Sequence, residues 1–334
     1  MSGISRKLDS LTVVVPGLNE EDNLPLLYAE LIRVLGNKEW ELDILFVDDG
    51  STDSTLNVCR QLNARYPRFN YVSLSRNFGQ QFALTAGTDF ARGRAVVTMD
   101  ADLQDPPEVV LEMIKLWEQG VDVAYGQRRT HSNISIFKQF TAKLFYRILQ
   151  SMSDISIPTD TGDFRLIDRR VIEHLKTMRE QGRFFRGMVS WVGFEQRPVL
   201  YDRPGRYKGI TKYPLFRMVR LAWEGISAFS SWPLRMATMT GILFSLLAFV
   251  MVIYYVIRKI YLDDFAKGWA SIMVAIFAVG GIQLFFIGIV GEYLAKTFEE
   301  LKGRPLYIVR ETGGNLLSPM TPIKKSRAKI VRKK

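Results

Sequence analysis

The sequence predicts an α/β fold: a Rossmann-like domain with a mostly parallel sheet, then amphipathic interface helices and a two-helix transmembrane hairpin. Three observations carry this. Short β-branched runs alternate with helical periodicity over the first 126 residues. Two uncharged runs of 22 residues follow, at Met236–Ile257 and Ala270–Gly291. The length of 334 residues accommodates about two units of roughly 150 residues each.

Strand signals fall at Leu11–Val15, Asp43–Val47, Tyr71–Leu74, Ala95–Met99 and Val121–Tyr125. Helical patterns lie between them at Leu24–Leu35, Ser54–Arg65, Gln80–Arg92 and Pro107–Gln119. Apolar strands separated by helices imply a sheet covered on both faces. Ligands of such sheets sit at the carboxyl ends of the strands. Pro16–Glu20, Asp48–Asp49, Arg76–Asn77 and Asp100–Asp105 all fall there, which is the strongest physical argument for an enzyme.

Two later segments, about 134–150 and 213–229, read as amphipathic. Phe137, Phe140, Leu144 and Ile148 line one face of the first, and Arg217 and Arg220 interrupt the apolar second. Core-facing surface helices share this pattern, but basic polar faces with aromatic residues suit a membrane interface. Each uncharged run reaches about 33 Å at 1.5 Å per residue, enough for a hydrocarbon core of about 30 Å. Basic residues flank the pair outside (Arg235, then Lys296, Lys302 and Arg304), while Asp263 and Asp264 offset the cations of the joining loop. The positive-inside bias then places both termini in the cytoplasm. Gly280, Gly281, Gly288 and Gly291 allow close helix approach, which leaves homo-oligomerisation through the hairpin open. The expected organisation is a catalytic domain over 1–231, a hairpin over 232–297 and a basic cytoplasmic tail over 298–334.

Composition removes several functions. The lone cysteine, Cys59, excludes a disulfide framework and a cysteine zinc site, and His131 and His174 are too far apart for a histidine cluster. The last twelve residues hold seven of the net +11 charges, leaving +4 for the other 322, so the body is not built for nucleic acid. Such a tail is either solvated or held by anionic lipid. The apolar stretch Leu11–Val15 is too short for a signal peptide, so the first domain is expected to stay in the cytoplasm.

The chemistry concentrates in carboxylates. Asp100-Ala101-Asp102 leaves a strand end with two acids that can share a hard divalent cation, Mg²⁺ or Mn²⁺, and leave coordination positions for phosphate. A capping turn gives the same string, and Asp105 before Pro106-Pro107 reads as the N-cap of the next helix. Asp48-Asp49 ends another strand; it is either a polar turn or a partner for base and ribose. Neither a G-x-G-x-x-G nor a P-loop string follows these strands, which argues against dehydrogenases and P-loop NTPases.

VVVPGLNEEDN, VDDGSTD, LSRNFGQQFALTAG, MDADLQDPP, TGDFRLIDRR, RPGRYKGITKY and GEYLAKTFEELKGRPLY occur in this order, with the apolar pair before the last. The chain thereby resembles the polyprenyl-phosphate glycosyltransferases of glycosyltransferase family 2, nearest the bactoprenol glucosyltransferases and more distantly the dolichol-phosphate mannose synthases. The resemblance implies a GT-A catalytic domain, a nucleotide-sugar donor, a divalent metal and inversion at the anomeric carbon. By position it implies that Pro16, Glu20, Asp48 and Asp49 hold the nucleotide and that Gln104 lies close to the donor. Asp100 and Asp102 would serve metal and diphosphate, with Asp102 and Asp163 catalytic. Arg128, Arg129, Arg206 and Lys212 would meet phosphates of donor or acceptor. Leu18 stands where the family often has an aromatic residue. Gln80 stands where lysine is common; glutamine there also resembles the aminoarabinose transferases of lipid A modification.

The expected reaction is transfer of a sugar, most readily glucose from UDP-glucose, to undecaprenyl phosphate at the cytoplasmic face of the inner membrane. GDP-mannose and UDP-aminoarabinose are the alternative donors, and a non-catalytic nucleotide-sugar-binding scaffold is the alternative function. A phosphate monoester is largely dianionic at pH 7, so the acceptor needs little help from a base. Asp163 is therefore expected to orient groups rather than to remove a proton, unless it is a turn carboxylate paired with Arg165. A processive synthase is disfavoured, because Gln181, Arg186 and Trp191 do not have Q-x-x-R-W spacing. A lipid-linked sugar flippase is disfavoured too, since two helices cannot enclose a polar path.

Overall fold

The computed structural model describes residues 6–129, 161–202, 232–262 and 269–316. The expected interface helices at 134–150 and 213–229, Arg206, Lys212 and the basic end of the tail lie outside the described residues.

In the first half, strands and helices alternate as the periodicity predicts. They are β1 (Ser10–Gly17), α1 (Asn23–Leu35), β2 (Glu41–Asp48), α2 (Thr55–Arg65), β3 (Phe69–Leu74), α3 (Gln80–Phe90), β4 (Ala95–Thr98), α4 (Pro107–Glu118) and β5 (Val123–Arg128). Next come β6 (Thr161–Asp168), α5 (Arg169–Thr177), α6 (Phe185–Trp191) and β7 (Gln196–Tyr201). The chain closes with α7 (Trp232–Leu262), α8 (Trp269–Leu301) and β8 (Val309–Gly313).

The described strands form one sheet in the order β7-β5-β6-β4-β1-β2-β3-β8. Its centre, β4-β1-β2-β3, is parallel, while β6 runs antiparallel to both β4 and β5. The order reverses at β1, which has β2 on one side and β4 on the other. That reversal opens a crevice beyond the carboxyl ends of β1 and β4, the general ligand position in such sheets. Because β6 is antiparallel to β4, its first residues lie at the same edge, with Thr98 opposite Arg165.

Alternation along β1 explains why both faces are covered. Val13 and Val15 join one apolar cluster with Leu27 and Leu31 of α1 and Met113 and Trp117 of α4. Val14 joins the other with Ala83 and Ala86 of α3, Ile172 of α5 and Met188 of α6. At the edge away from the crevice, Asp168 caps α5 by accepting from the Arg170 N–H (2.8 Å), and it also accepts from Trp117 Nε1 (2.8 Å) and Arg6 (2.9 Å).

Gly50, just after Asp48-Asp49, has φ +74°, and a Cβ there would sit 2.3 Å from the Arg76 carbonyl carbon. Left-handed backbone and a clash with main chain add together. Gly50→Ala is expected to destabilise the domain by about 2 kcal/mol or more, read as a lower thermal midpoint. An unchanged midpoint would show that the turn relaxes freely.

The structure differs from the expected tail. Residues 298–301 complete α8, and β8 returns to pair antiparallel with β3. Glu311 of β8 accepts from Arg60 (3.0 and 2.7 Å) and from the Tyr71 hydroxyl (2.9 Å). A five-residue strand of alternating exposure, VRETG, carries too little apolar signal to be read before its partner edge is known. Helices α7 and α8 cover the two uncharged runs and extend beyond them. Among the described residues one helical stretch, Val279–Leu301, is long and apolar enough to cross a membrane; Met236–Met251 is a shorter apolar one.

Candidate active site

The crevice rim is built from loops tied together by their own side chains. Asn19, at φ +59°, accepts from the Thr52 N–H (2.9 Å), and its own N–H donates to Ser51 Oγ (2.9 Å). The next residue, Glu20, donates its N–H to Thr55 Oγ1 (2.8 Å), so the loop after β1 is zipped to the loop after β2. The Glu20 carboxylate accepts from Asn23 Nδ2 (2.7 Å). Its pKa is raised, chiefly by burial and further by the nearby negative charges of Asp102 and Asp53, against the Asn23 hydrogen bond. Pro16 pairs with Val47 in the last rungs of the β1–β2 ladder.

Asp48 and Asp49 are buried and serve this rim structurally. Asp48 accepts from the Ser51 N–H (2.9 Å) and Ser73 Oγ (2.7 Å). Asp49 accepts from the N–H groups of Phe78 (2.8 Å) and Gly79 (2.9 Å), one on each oxygen, which draws the β3–α3 loop to the end of β2. Burial raises the Asp49 pKa against those two hydrogen bonds.

Asp100 and Asp102 leave β4 at the crevice. Asp100 Oδ1 accepts from Gln80 Nε2 (2.8 Å), and Asp102 Oδ1 accepts from the Gln104 N–H (3.2 Å) in a turn that puts Leu103 at φ +58°. Gln104 is buried behind this turn. Asp105 is not the N-cap that its position before Pro106-Pro107 predicts. Pro106 is the cap residue, and buried Asp105 accepts from the Tyr201 hydroxyl (2.8 Å). A buried hydroxyl on β7 competes for the carboxylate more strongly than the helix end does, and no local pattern announces it.

Asp163, near the start of β6, is buried at the same edge. Its Oδ1 accepts from Arg186 Nε (3.1 Å) and its Oδ2 from Gln81 Nε2 (3.2 Å), while Thr98 Oγ1 of β4 donates to its carbonyl. Arg186 also donates to the Thr161 carbonyl (2.8 Å), and Gln81 Oε1 accepts from the Phe185 N–H (2.7 Å). The ion-pair partner is therefore Arg186 and not Arg165. Arg165 lies fully buried behind, donating to the Gly162 carbonyl (3.0 Å). Burial lowers its pKa to about 10, with the Asp163 charge acting in the opposite direction. Neither Gln81 nor Arg186 was assigned to the site from the sequence, where Arg186 enters only as a mismatch to Q-x-x-R-W spacing. The signal for Gln81 was the doubled glutamine: adjacent residues on a helix face different neighbours, and Gln80 reaches Asp100 while Gln81 reaches Asp163.

Two of the four phosphate candidates are described. A Cβ on Gly162 would come within 3.3 Å of Arg128 Nη2, so Arg128 lies beside the Asp163 strand, with Nε buried and unpartnered. Arg129 instead makes an exposed ion pair with Asp202 (3.4 Å). Among the described residues no group of three or more His, Cys, Asp or Glu is placed to hold a metal, so any cation at Asp100 and Asp102 would take further ligands from bound molecules. The donor set fits one: Asp100 and Asp102 are hard carboxylates two residues apart at the end of β4, and the charge of Asp102 is felt at Glu20 across the rim.

Residues 12–176 match the description glycosyl transferase family 2, and residues 232–297 match the GtrB C-terminal hairpin. The chain is 44% identical over 303 residues to the uncharacterized glycosyltransferase YkcC of Bacillus subtilis, covering 91% of this chain and 94% of that one. It is 37% identical over 300 residues to a prophage bactoprenol glucosyl transferase homolog of Escherichia coli, covering 90% and 98%. Among solved structures it is similar to glucosyl-3-phosphoglycerate synthase from Mycobacterium tuberculosis, crystallised with Mn²⁺ and UDP-glucose. That likeness has 16% identity and a TM-score of 0.43, over 66% of this chain and 77% of that one.

Proposed function

The chain belongs to glycosyltransferase family 2, and from that premise we infer that it transfers a sugar from a nucleoside diphosphate sugar to the phosphate of a polyprenyl lipid. The observation that carries this reading is the meeting of Asp100 and Asp102, at the end of β4, with buried Asp163, at the start of β6, in the crevice where the strand order reverses. Relatives named bactoprenol glucosyl transferase, alike over nine-tenths of the chain, support the lipid acceptor.

In this reading the loops stapled by Glu20, Asp48 and Asp49, with Pro16 beneath, hold the nucleotide, and Gln104 walls the donor pocket. Asp100 and Asp102 would hold Mg²⁺ or Mn²⁺, which neutralises the departing diphosphate. Arg128, together with Arg129, Arg206 and Lys212, meets the phosphates. A lipid phosphate oxygen attacks the anomeric carbon, the carbon–oxygen bond to the diphosphate breaks with inversion, and the nucleoside diphosphate leaves with the electron pair. No proton has to move, because the acceptor is already anionic.

The acceptor dictates the rest of the architecture. Exposing a polyprenyl chain to water costs about 0.8 kcal/mol per CH₂, so the site must come to the headgroup plane. Helices α7 and α8, read as a membrane hairpin with both ends cytoplasmic, and the amphipathic segments 134–150 and 213–229 would hold it there. UDP-glucose is the proposed donor, and the hairpin is a proposed surface for self-association.

A panel of labelled UDP- and GDP-sugars, offered with polyprenyl phosphate and Mg²⁺ or Mn²⁺, tests the reading. Label passing from UDP-glucose into the organic phase, and lost on chelation, is the expected result. Passage from GDP-mannose or UDP-aminoarabinose would reassign the donor. No passage from any sugar would favour the scaffold.

A further inference from the structure

The end of α8 and the Asp163 carboxylate are joined by one short connector, residues 178–184 between α5 and α6. On one side the connector grips the C-terminal segment. The Gln181 N–H donates to Glu300 Oε1 (2.6 Å), and the Gln181 side chain donates to the Arg304 carbonyl (2.7 Å). Arg179 donates twice to Asp89 (2.7 and 3.1 Å), and the Tyr307 hydroxyl donates to the same carboxylate (2.8 Å). The Asp89 side chain is only 2% exposed, so this is a buried clamp at the last turn of α3. Arg183 ties the connector to itself through the Met178 carbonyl (2.6 Å).

On its other side the connector runs directly into the donors that hold Asp163. Phe185 fixes Gln81, Gln81 reaches one carboxylate oxygen, and Arg186 reaches the other. Gln81 and Asp89 also share α3, so the clamp and the Asp163 contacts sit on one rigid helix. Helix α8 itself meets the connector at Glu300, and the residues that follow it, Arg304 and Tyr307, carry the remaining contacts.

We propose that Arg179, Glu300 and Tyr307 are positioning residues, which fix the 178–184 connector to the end of α8 so that the seating of that helix sets the orientation of Asp163. This rests on the transferase reading of the site. A misplacement of about 1 Å at a reacting centre costs up to 10²-fold in rate, so a clamp remote from the crevice can govern turnover.

The test uses the full chain in vesicles containing polyprenyl phosphate, with Glu300→Ala and Tyr307→Phe, the latter keeping the ring. Expected are a kcat about tenfold lower, a donor KM within about twofold of the parent, and faster amide exchange confined to residues 178–187. Glu300→Gln, which keeps an oxygen acceptor for Gln181, should restore kcat. Parental kcat in both variants would overturn the proposal. So would a loss of kcat matched by weaker donor binding and faster exchange throughout the domain, the mark of a merely structural role. If the parent itself transfers no sugar, the transferase reading fails, and the exchange pattern still decides whether the connector links α8 to Asp163.

Discussion

Asp102→Asn is expected to lower sugar transfer about 10³-fold while leaving the fold intact. The carboxylate sits in a local turn, accepting from the Gln104 N–H, and an asparagine Oδ1 can accept the same bond. The amide has no charge to offer a divalent cation, and Asp100 alone, already engaged by Gln80, makes a poor site. Charge stabilisation of a diphosphate leaving group by a metal is worth several kcal/mol, which is the source of the expected loss. Two measurements separate the cause: the thermal midpoint should hold, and the metal-dependent part of donor binding should disappear. Transfer near the parental rate would remove the metal from these residues.

Asp163→Asn is expected to lower kcat about 10²-fold with donor affinity nearly unchanged. Both carboxylate oxygens face donors, Arg186 Nε and Gln81 Nε2, so one end of the new amide must oppose another N–H. Buried Arg165 would also lose its nearest compensating charge. The Arg186 side chain is a third exposed, so losing this pair costs less than the roughly 3–5 kcal/mol of a fully buried one, yet the thermal midpoint should still fall, unlike that of Asp102→Asn. Kinetics below the unfolding range, with donor binding measured separately, distinguish misorientation from loss of fold. Normal turnover with intact metal binding would show that Asp163 has no part in the reaction.

The parallel centre of the sheet was legible because strands covered on both faces must be apolar throughout, and Leu11–Val15 and Asp43–Val47 nearly are. The carboxylates at strand ends were legible for the complementary reason: a charged pair straight after an apolar run has few structural uses. Strand β6 was not, since its residues Thr161–Asp168 carry Asp163 and Arg165 inward, and buried charge breaks the apolar pattern that marks strands. The partners of Asp163 were hidden for another reason. Gln81 lies 82 positions away and Arg186 lies 23, and contacts of that range leave no period in a single sequence. Strand β8 exists because the edge of β3 is there to receive it.

The account turns on a lipid-borne phosphate as the group that captures the sugar. Offering the protein polyprenyl phosphate and, separately, the corresponding polyprenol in otherwise identical vesicles addresses this directly. Product from the phosphate and none from the alcohol is the predicted result, because no residue in the crevice is assigned to deprotonate a hydroxyl. Equal transfer to the alcohol would contradict it.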